Sequence, residues 1–209
     1  MTHQLPRPSA SADRPTLLLP RRPADSPARQ PTTGTQPGRP PARQQAELQG
    51  RFELIQRLGL PTGAHQDYDH FADELAERTG FLYGFVNLFL EQQTFIGLHQ
   101  PPTGSGYVIV GRTMSLEHGW CPEVVSRQKA LPLPDVHASP RFSGNHVVDA
   151  VGIRSYFGAP LIHSSGITLG TVCVIDPDRR PLSEARRLRD LVTDTGSQVM
   201  RHITRVPAR

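Results

Sequence analysis

The residues able to do chemistry begin with two thiols. Cys121 and Cys173 are the only cysteines in the 209-residue chain, and a thiolate is a nucleophile, a metal ligand or a redox centre. Cys121 stands in HGWCP (118–122), at the start of a helix-forming run whose dipole favours a thiolate. Cys173 lies in TVCVI (171–175) and reads as a small buried apolar residue. His118 and Cys121 supply half of a metal site, but no C-x2-C or H-x3-H spacing supplies the other half. His99, His137, His146 and His163 also fall in or beside loops, where a lone imidazole is a polar surface group far more often than an axial ligand. No phosphate-binding loop, dinucleotide fingerprint or nucleophile elbow occurs.

A second group carries charge and aromatic surface. Asp135, Arg141 and Arg154 recur in one region. Read locally, Asp135 caps the following loop and Arg141 pairs with it or with Asp149. Read functionally, they recognise an anionic or amide-bearing ligand. Trp120, Phe142 and Tyr156 line an apolar cavity or simply fill the core.

The elements that must position these groups follow from periodicity. The stretch 153–176, IRSYFGAPLIHSSGITLGTVCVID, predicts strands at Ser155–Ile162 and Thr168–Ile175 around a turn at Ser164-Ser165-Gly166. The second strand is apolar on both faces, with Val172 and Val174 on one and Leu169, Cys173 and Ile175 on the other, which places the pair centrally in a sheet. Gly158 and Gly170 mark close backbone approach. Earlier, Leu48, Phe52, Ile55 and Leu58 give a helical stripe ended by Gly59 and Pro61. A second helix is capped by Asp67, carries Tyr68, Phe71, Ala72, Leu75 and Ala76 on one face, and stops at Gly80. Strands are predicted at Phe81–Leu90, Thr94–His99 and Tyr107–Val110, a meander. Then come a helix over Pro122–Arg127, an edge strand over Ala130–Val136, a polar loop over His137–Asn145 and one helical turn over His146–Val151. Ser183 caps a last helix with Leu188, Leu191, Val192, Thr195, Val199 and Ile203 as its stripe. Strands in runs with helices at the ends imply an α+β fold.

Composition bounds the rest. Ten of the 21 prolines and seven of the arginines fall in the first 47 residues, and the remainder of the chain is electrically balanced. Residues 1–46 are therefore expected to be a disordered Pro/Arg-rich tail, and 205–209 a short C-terminal tail. No basic cluster interleaved with aromatics points to nucleic acid. No apolar run reaches the ~20 residues of a membrane span, and no signal peptide is evident, so a cytoplasmic protein without membrane association is expected.

Four stretches in order, GWCPEVVSRQKAL (119–131), PLPDVHASPRFSGNHVV (132–148), GIRSYFGAPLI (152–162) and LGTVCVID (169–176), resemble the GAF domain. The resemblance covers about residues 47–204. It implies a central antiparallel sheet of five or six strands, N- and C-terminal helices on one face, and a ligand pocket roofed by short helices and loops on the other. The candidate ligand-binding residues are then Trp120, Cys121, Asp135, Arg141, Phe142, Asn145, Arg154 and Tyr156, with the cofactor unassigned. The pattern associated with cyclic nucleotides in phosphodiesterase-type members is missing: Asp176-Pro177, Leu182 and Arg186-Arg187 stand in its place. No chromophore cysteine for a bilin is found. Free methionine-(R)-sulfoxide reductases form an enzymatic branch. Cys121 resembles one of its cysteines, while Phe142-Ser143-Gly144-Asn145 occupies the loop of its catalytic cysteine.

The resemblance implies a non-catalytic sensory module that binds a small molecule or a partner protein. Pairing of the Leu48–Leu58 and Leu188–Ile203 helices would make a homodimer, and output would pass to a signalling partner in trans. The alternatives are a reductase using Cys121 and a ligand-free interaction scaffold.

Overall fold

The computed structural model describes residues 42–205. Six strands form one antiparallel sheet, ordered β3-β2-β1-β6-β5-β4. They are β1 (Tyr83–Phe89), β2 (Gln93–His99), β3 (Thr113–Met114), β4 (Leu131–Leu133), β5 (Ser155–Ile162) and β6 (Thr168–Asp176). β6 pairs with both β5 and β1, so the expected hairpin does lie at the centre, and the expected strand 130–136 contracts to the edge strand β4. Every residue of β6 is buried, as a strand covered on both faces requires.

Three long helices cover one face: α1 (Ala42–Arg57), α2 (Gln66–Thr79) and α6 (Ala185–Arg205). Leu54 and Ile55 of α1, Tyr68 and Leu75 of α2, and Leu188, Val192, Val199 and Ile203 of α6 share one core with Val86, Leu88, Ile96, Phe157, Val172 and Val174 of the sheet. Each such aliphatic burial contributes roughly 1.5–3 kcal/mol. The opposite face lies under short elements: α3 (Cys121–Arg127), α4 (Pro140–Ser143) and α5 (His146–Val151). Trp120, Cys121, Val124, Val136, Val147 and Val148 there join Tyr83, Phe85, Phe95, Tyr156, Cys173 and Ile175 in a second core.

Several local expectations need correction. α1 begins at Ala42, so residues 42–46 belong to a helix and not to the tail; residues 1–41 and 206–209 lie outside the described residues. Phe52 is exposed, and Leu54 takes its place in the buried stripe. His65, not Asp67, caps α2: its backbone is extended and its Nδ1 accepts from the Asp67 N–H at 3.3 Å. Asp67 sits inside the first turn, where its charge suits the helix dipole.

Tyr107–Val110 forms no strand, because the free edge of β2 is taken by Arg112 to Met114 at Gln93–Phe95, by the His65 N–H at Ile96 and by the Asp69 carboxylate at Leu98. Tyr83 instead donates its hydroxyl proton to Val108 O at 2.8 Å, and Gln100 Oε1 accepts from the Val110 N–H at 2.8 Å. The 137–145 loop contains a 3-10 turn (Val136–Ala138) and α4. A second 3-10 turn, Leu182–Glu184, runs straight into α6, so the cap falls at Pro181 and not at Ser183. Leu169 packs with Val172 on the helix face, because the β5–β6 register shifts at Leu161/Ile162. A β-bulge of this kind sends the next side chain to the other face.

Candidate functional site

On the short-helix side of the sheet lies a cavity of about 410 Å³. Its walls are largely apolar, built from Phe85, Phe95, Val110, Met114, Trp120, Val147, Val151, Tyr156 and Ile175. Phe85 and Phe95 meet at 4.8 Å between ring centroids, and Trp120 and Tyr156 at 5.3 Å. His118 and His146 line it as well, their rings 4.6 Å apart, with His146 exposed at the rim.

The floor carries the polar atoms. Cys121 opens α3, and its Sγ lies 3.4 Å from the Tyr156 hydroxyl and 3.6 Å from Cys173 Sγ. Gly158 makes the Tyr156 position possible. A Cβ at 158 would fall 2.1 Å from the Tyr156 oxygen. The close approach expected at Gly158 is thus made by a side chain. At Gly170 it is made by backbone, since a Cβ there would meet Asn87 O at 1.8 Å.

Asn87 and Thr171 are register partners on β1 and β6, fully buried, and share a face with Cys173. Asn87 Oδ1 and Thr171 Oγ1 have no hydrogen-bond partner among the described residues. A hydrogen bond from Cys173, assisted by the Tyr156 hydroxyl, lowers the Cys121 thiol to about 7 against the opposing effect of burial. Cys173 is pushed well up by the same hydrogen bond and by burial. Of the two thiols, Cys121 is therefore the more readily ionised.

The wall is held by side chains that do not touch the cavity. Asn87 Nδ2 donates to Gln93 Oε1 at 2.9 Å, and Gln93 Nε2 donates to Ser115 O and His118 O, each at 2.7 Å. Gln93 is fully buried, so a polar link runs from the sheet into the 115–118 loop. Trp120 Nε1 donates to Phe142 O at 3.2 Å, which fixes the indole.

Of the eight candidate residues, Trp120, Cys121 and Tyr156 line this cavity. Asn145 supports it from behind by bonding Gly119. Asp135 and Phe142 line a separate depression with Arg179, Arg180 and Leu182. Asp135 caps the 3-10 turn through the His137 N–H and accepts from Arg154 at 3.0 Å. Arg141 pairs with Glu123 at 2.8 Å, not with Asp135 or Asp149, and lies over the Phe142 ring. Residues not among the candidates also reach the cavity: Phe85, Phe95, His118, His146 and Cys173. Alternation along β6 shows that Cys173 is buried and does not show what it is buried against. Among the described residues no cluster of three or more His, Cys, Asp or Glu could hold a metal ion.

A six-stranded antiparallel sheet with long helices on one face and a cavity under short helices on the other defines an α+β module of two layers around one sheet. The chain belongs to the GAF domain family, whose model matches residues 64–203. This fold is typical of sensory and regulatory modules. α1 precedes the matched region yet buries Leu54 and Ile55 in the same core. No curated protein sequence matches the chain.

Solved structures show the same fold at low identity. The GAF domain of Acinetobacter phosphoenolpyruvate-protein phosphotransferase is 15% identical with a TM-score of 0.51, over 77% of this chain and 94% of that one. The type II free methionine-R-sulfoxide reductase of Thermoplasma acidophilum is 10% identical with a TM-score of 0.51, over 66% and 91%. The nlh2 GAF domain of A. aeolicus is 12% identical with a TM-score of 0.51, over 77% and 97%.

Proposed function

We propose that this chain is a sensory module that binds a small, mainly apolar molecule in the cavity beneath α3 and α5. The observation that carries the reading is the cavity itself: about 410 Å³, walled by aromatic and aliphatic side chains, with two imidazoles, two thiols and a phenol among its lining groups. Small-molecule sites have this size and this sparse polarity. A ligand there touches β1, β6, α3 and α5 together, so its binding free energy can bias how those elements pack. The cavity weighs against a domain that only scaffolds partners.

Signal passes to a second copy or to a partner in trans. The inner stripe of α6, from Leu188 to Ile203, is buried against this chain's own sheet. A homodimer through α1 and α6 would therefore use their outer faces, where Phe52 is exposed. No described helix is long and apolar enough to cross a membrane.

Trp120 is the only tryptophan and lies in the cavity wall, so it reports occupancy directly. Native mass spectrometry of the purified chain, followed by denaturation, should release a bound small molecule. If the chain purifies empty, the apolar probe anilinonaphthalene sulfonate should accept excitation from Trp120, and Val151→Phe, which fills the cavity, should abolish that transfer. An empty chain that gives no transfer, or the same transfer in both proteins, would overturn the sensor reading.

A second reading rests on the thiol pair, since Cys121 and Cys173 face the same cavity. Turnover of free methionine-(R)-sulfoxide, abolished in Cys121→Ser, would replace the sensor by an enzyme.

A further inference from the structure

The two cysteines are separated by 52 positions, yet their sulfurs stand 3.6 Å apart, both as free thiols. One opens α3 and the other sits mid-strand in β6. Disulfide sulfurs are about 2.05 Å apart, so the two sulfurs must close by about 1.5 Å to bond. Both line the cavity, whose rim at Ser115, His146 and Ala150 is exposed, so a small oxidant has a route to them.

We propose that Cys121 and Cys173 are a redox-active dithiol, oxidised by a hydroperoxide that enters the cavity to an intramolecular disulfide. The inference does not depend on what else the cavity binds. In the first step the Cys121 thiolate attacks the terminal oxygen of the hydroperoxide. The O–O bond breaks, the alkoxide (or hydroxide) leaves and takes up the proton that Cys121 gave to solvent on ionising, and Cys121 becomes a sulfenic acid. In the second step the sulfur of Cys173 attacks the Cys121 sulfur, the S–O bond breaks, and hydroxide leaves as water with the Cys173 proton. Two thiols and one hydroperoxide thus give one disulfide, one alcohol and one water. An external dithiol reverses the state by exchange.

The roles of the two sulfurs are unequal. The hydrogen bond from Cys173 and the Tyr156 hydroxyl at 3.4 Å favour charge on Cys121, which makes it the attacking sulfur. Cys173 keeps its proton until the second step. The disulfide would fasten α3 to the central strand and contract the cavity floor, coupling redox state to occupancy.

The test uses the full chain, reduced and then treated with an equimolar amount of hydrogen peroxide. It is quenched in acid, denatured with N-ethylmaleimide and weighed. Untreated protein should take up two maleimides. Treated protein should take up none, have a monomer mass lighter by two hydrogens, and recover both adducts after dithiothreitol. Cys173→Ala should instead yield a dimedone adduct at Cys121. Two maleimides persisting on treated wild-type protein, or thiol loss appearing only as a cross-linked dimer, would overturn the proposal. Neither outcome depends on a variant folding.

Discussion

Asn145 holds Gly119 by both of its backbone groups. The Gly119 N–H donates to Asn145 Oδ1 at 3.1 Å, and Asn145 Nδ2 donates to Gly119 O at 2.8 Å. The same Oδ1 accepts from the Val147 N–H at 3.1 Å and so caps α5. One side chain thereby ties the loop carrying His118 and Trp120 to the helix carrying His146 and Val147.

Removing that clasp has a direction and a size. Asn145→Ala leaves two N–H groups and a carbonyl without their partner, at a cost of about 1–3 kcal/mol. Urea unfolding should show a lower midpoint, and Trp120 emission should shift to the red as the loop loosens. Asn145→Asp keeps the acceptor but sets a carboxylate against Gly119 O, so it should also be less stable than the wild type. A midpoint unchanged in both variants would show that the loop is held by packing alone.

Gly97 in β2 supports α2 at close quarters. A Cβ there would lie 2.1 Å from Tyr68 O and 2.5 Å from Tyr68 C, both backbone atoms that cannot rotate away. Gly97→Ala should therefore lose about 3 kcal/mol or more, or fail to fold. Gly63, with no atom within 4 Å of its built Cβ, is the matched control. Gly63→Ala should stay within about 0.5 kcal/mol of wild type by thermal melting. Equal melting of the two variants would contradict the described packing.

Alkaline pH should unfold the chain through its tyrosines. Burial, with the Asp67 carboxylate adding to it, pushes Tyr68 up to about 12. Burial and charge on Cys121 and Cys173 push Tyr156 well up too. Below pH 10 both are protonated, folded or not, and stability is intact. Above pH 10 the unfolded chain loses these protons while the folded one retains them, so stability falls with rising pH. Tyr68 alone should remove about 1.4 kcal/mol by pH 11. Tyr68→Phe keeps the ring against His65 and His202. Urea midpoints at pH 8 and pH 11 should differ less in that variant, and an equal difference would remove Tyr68 from the account.

Much of the fold was legible because its signals are local. The 155–162 and 168–175 strands were marked by β-branched runs around a Ser-Ser-Gly turn. α5 was marked by its own six residues, with Gly152 ending it in the left-handed conformation. Gly80 ends α2 in the same way. The candidate site was legible only in part. Trp120, Cys121 and Tyr156 were reached through the sequence resemblance. The charged residues Asp135, Arg141 and Arg154 pair with neighbours along the outside of the short-helix layer.

Local pattern alone predicts the long helices, the central hairpin and the two chemistries available, thiol and imidazole. Which of those groups meet depends on how the folded chain packs. The register shifts at Val86/Asn87 and Leu161/Ile162 set which side chains point to which face of the sheet. Those shifts arise where strands pair, not within either strand's own pattern. Cys173 lies on a regular stretch of β6, where alternation places it in the core without naming what it faces. In the folded chain, it stands against Cys121 at the floor of a cavity.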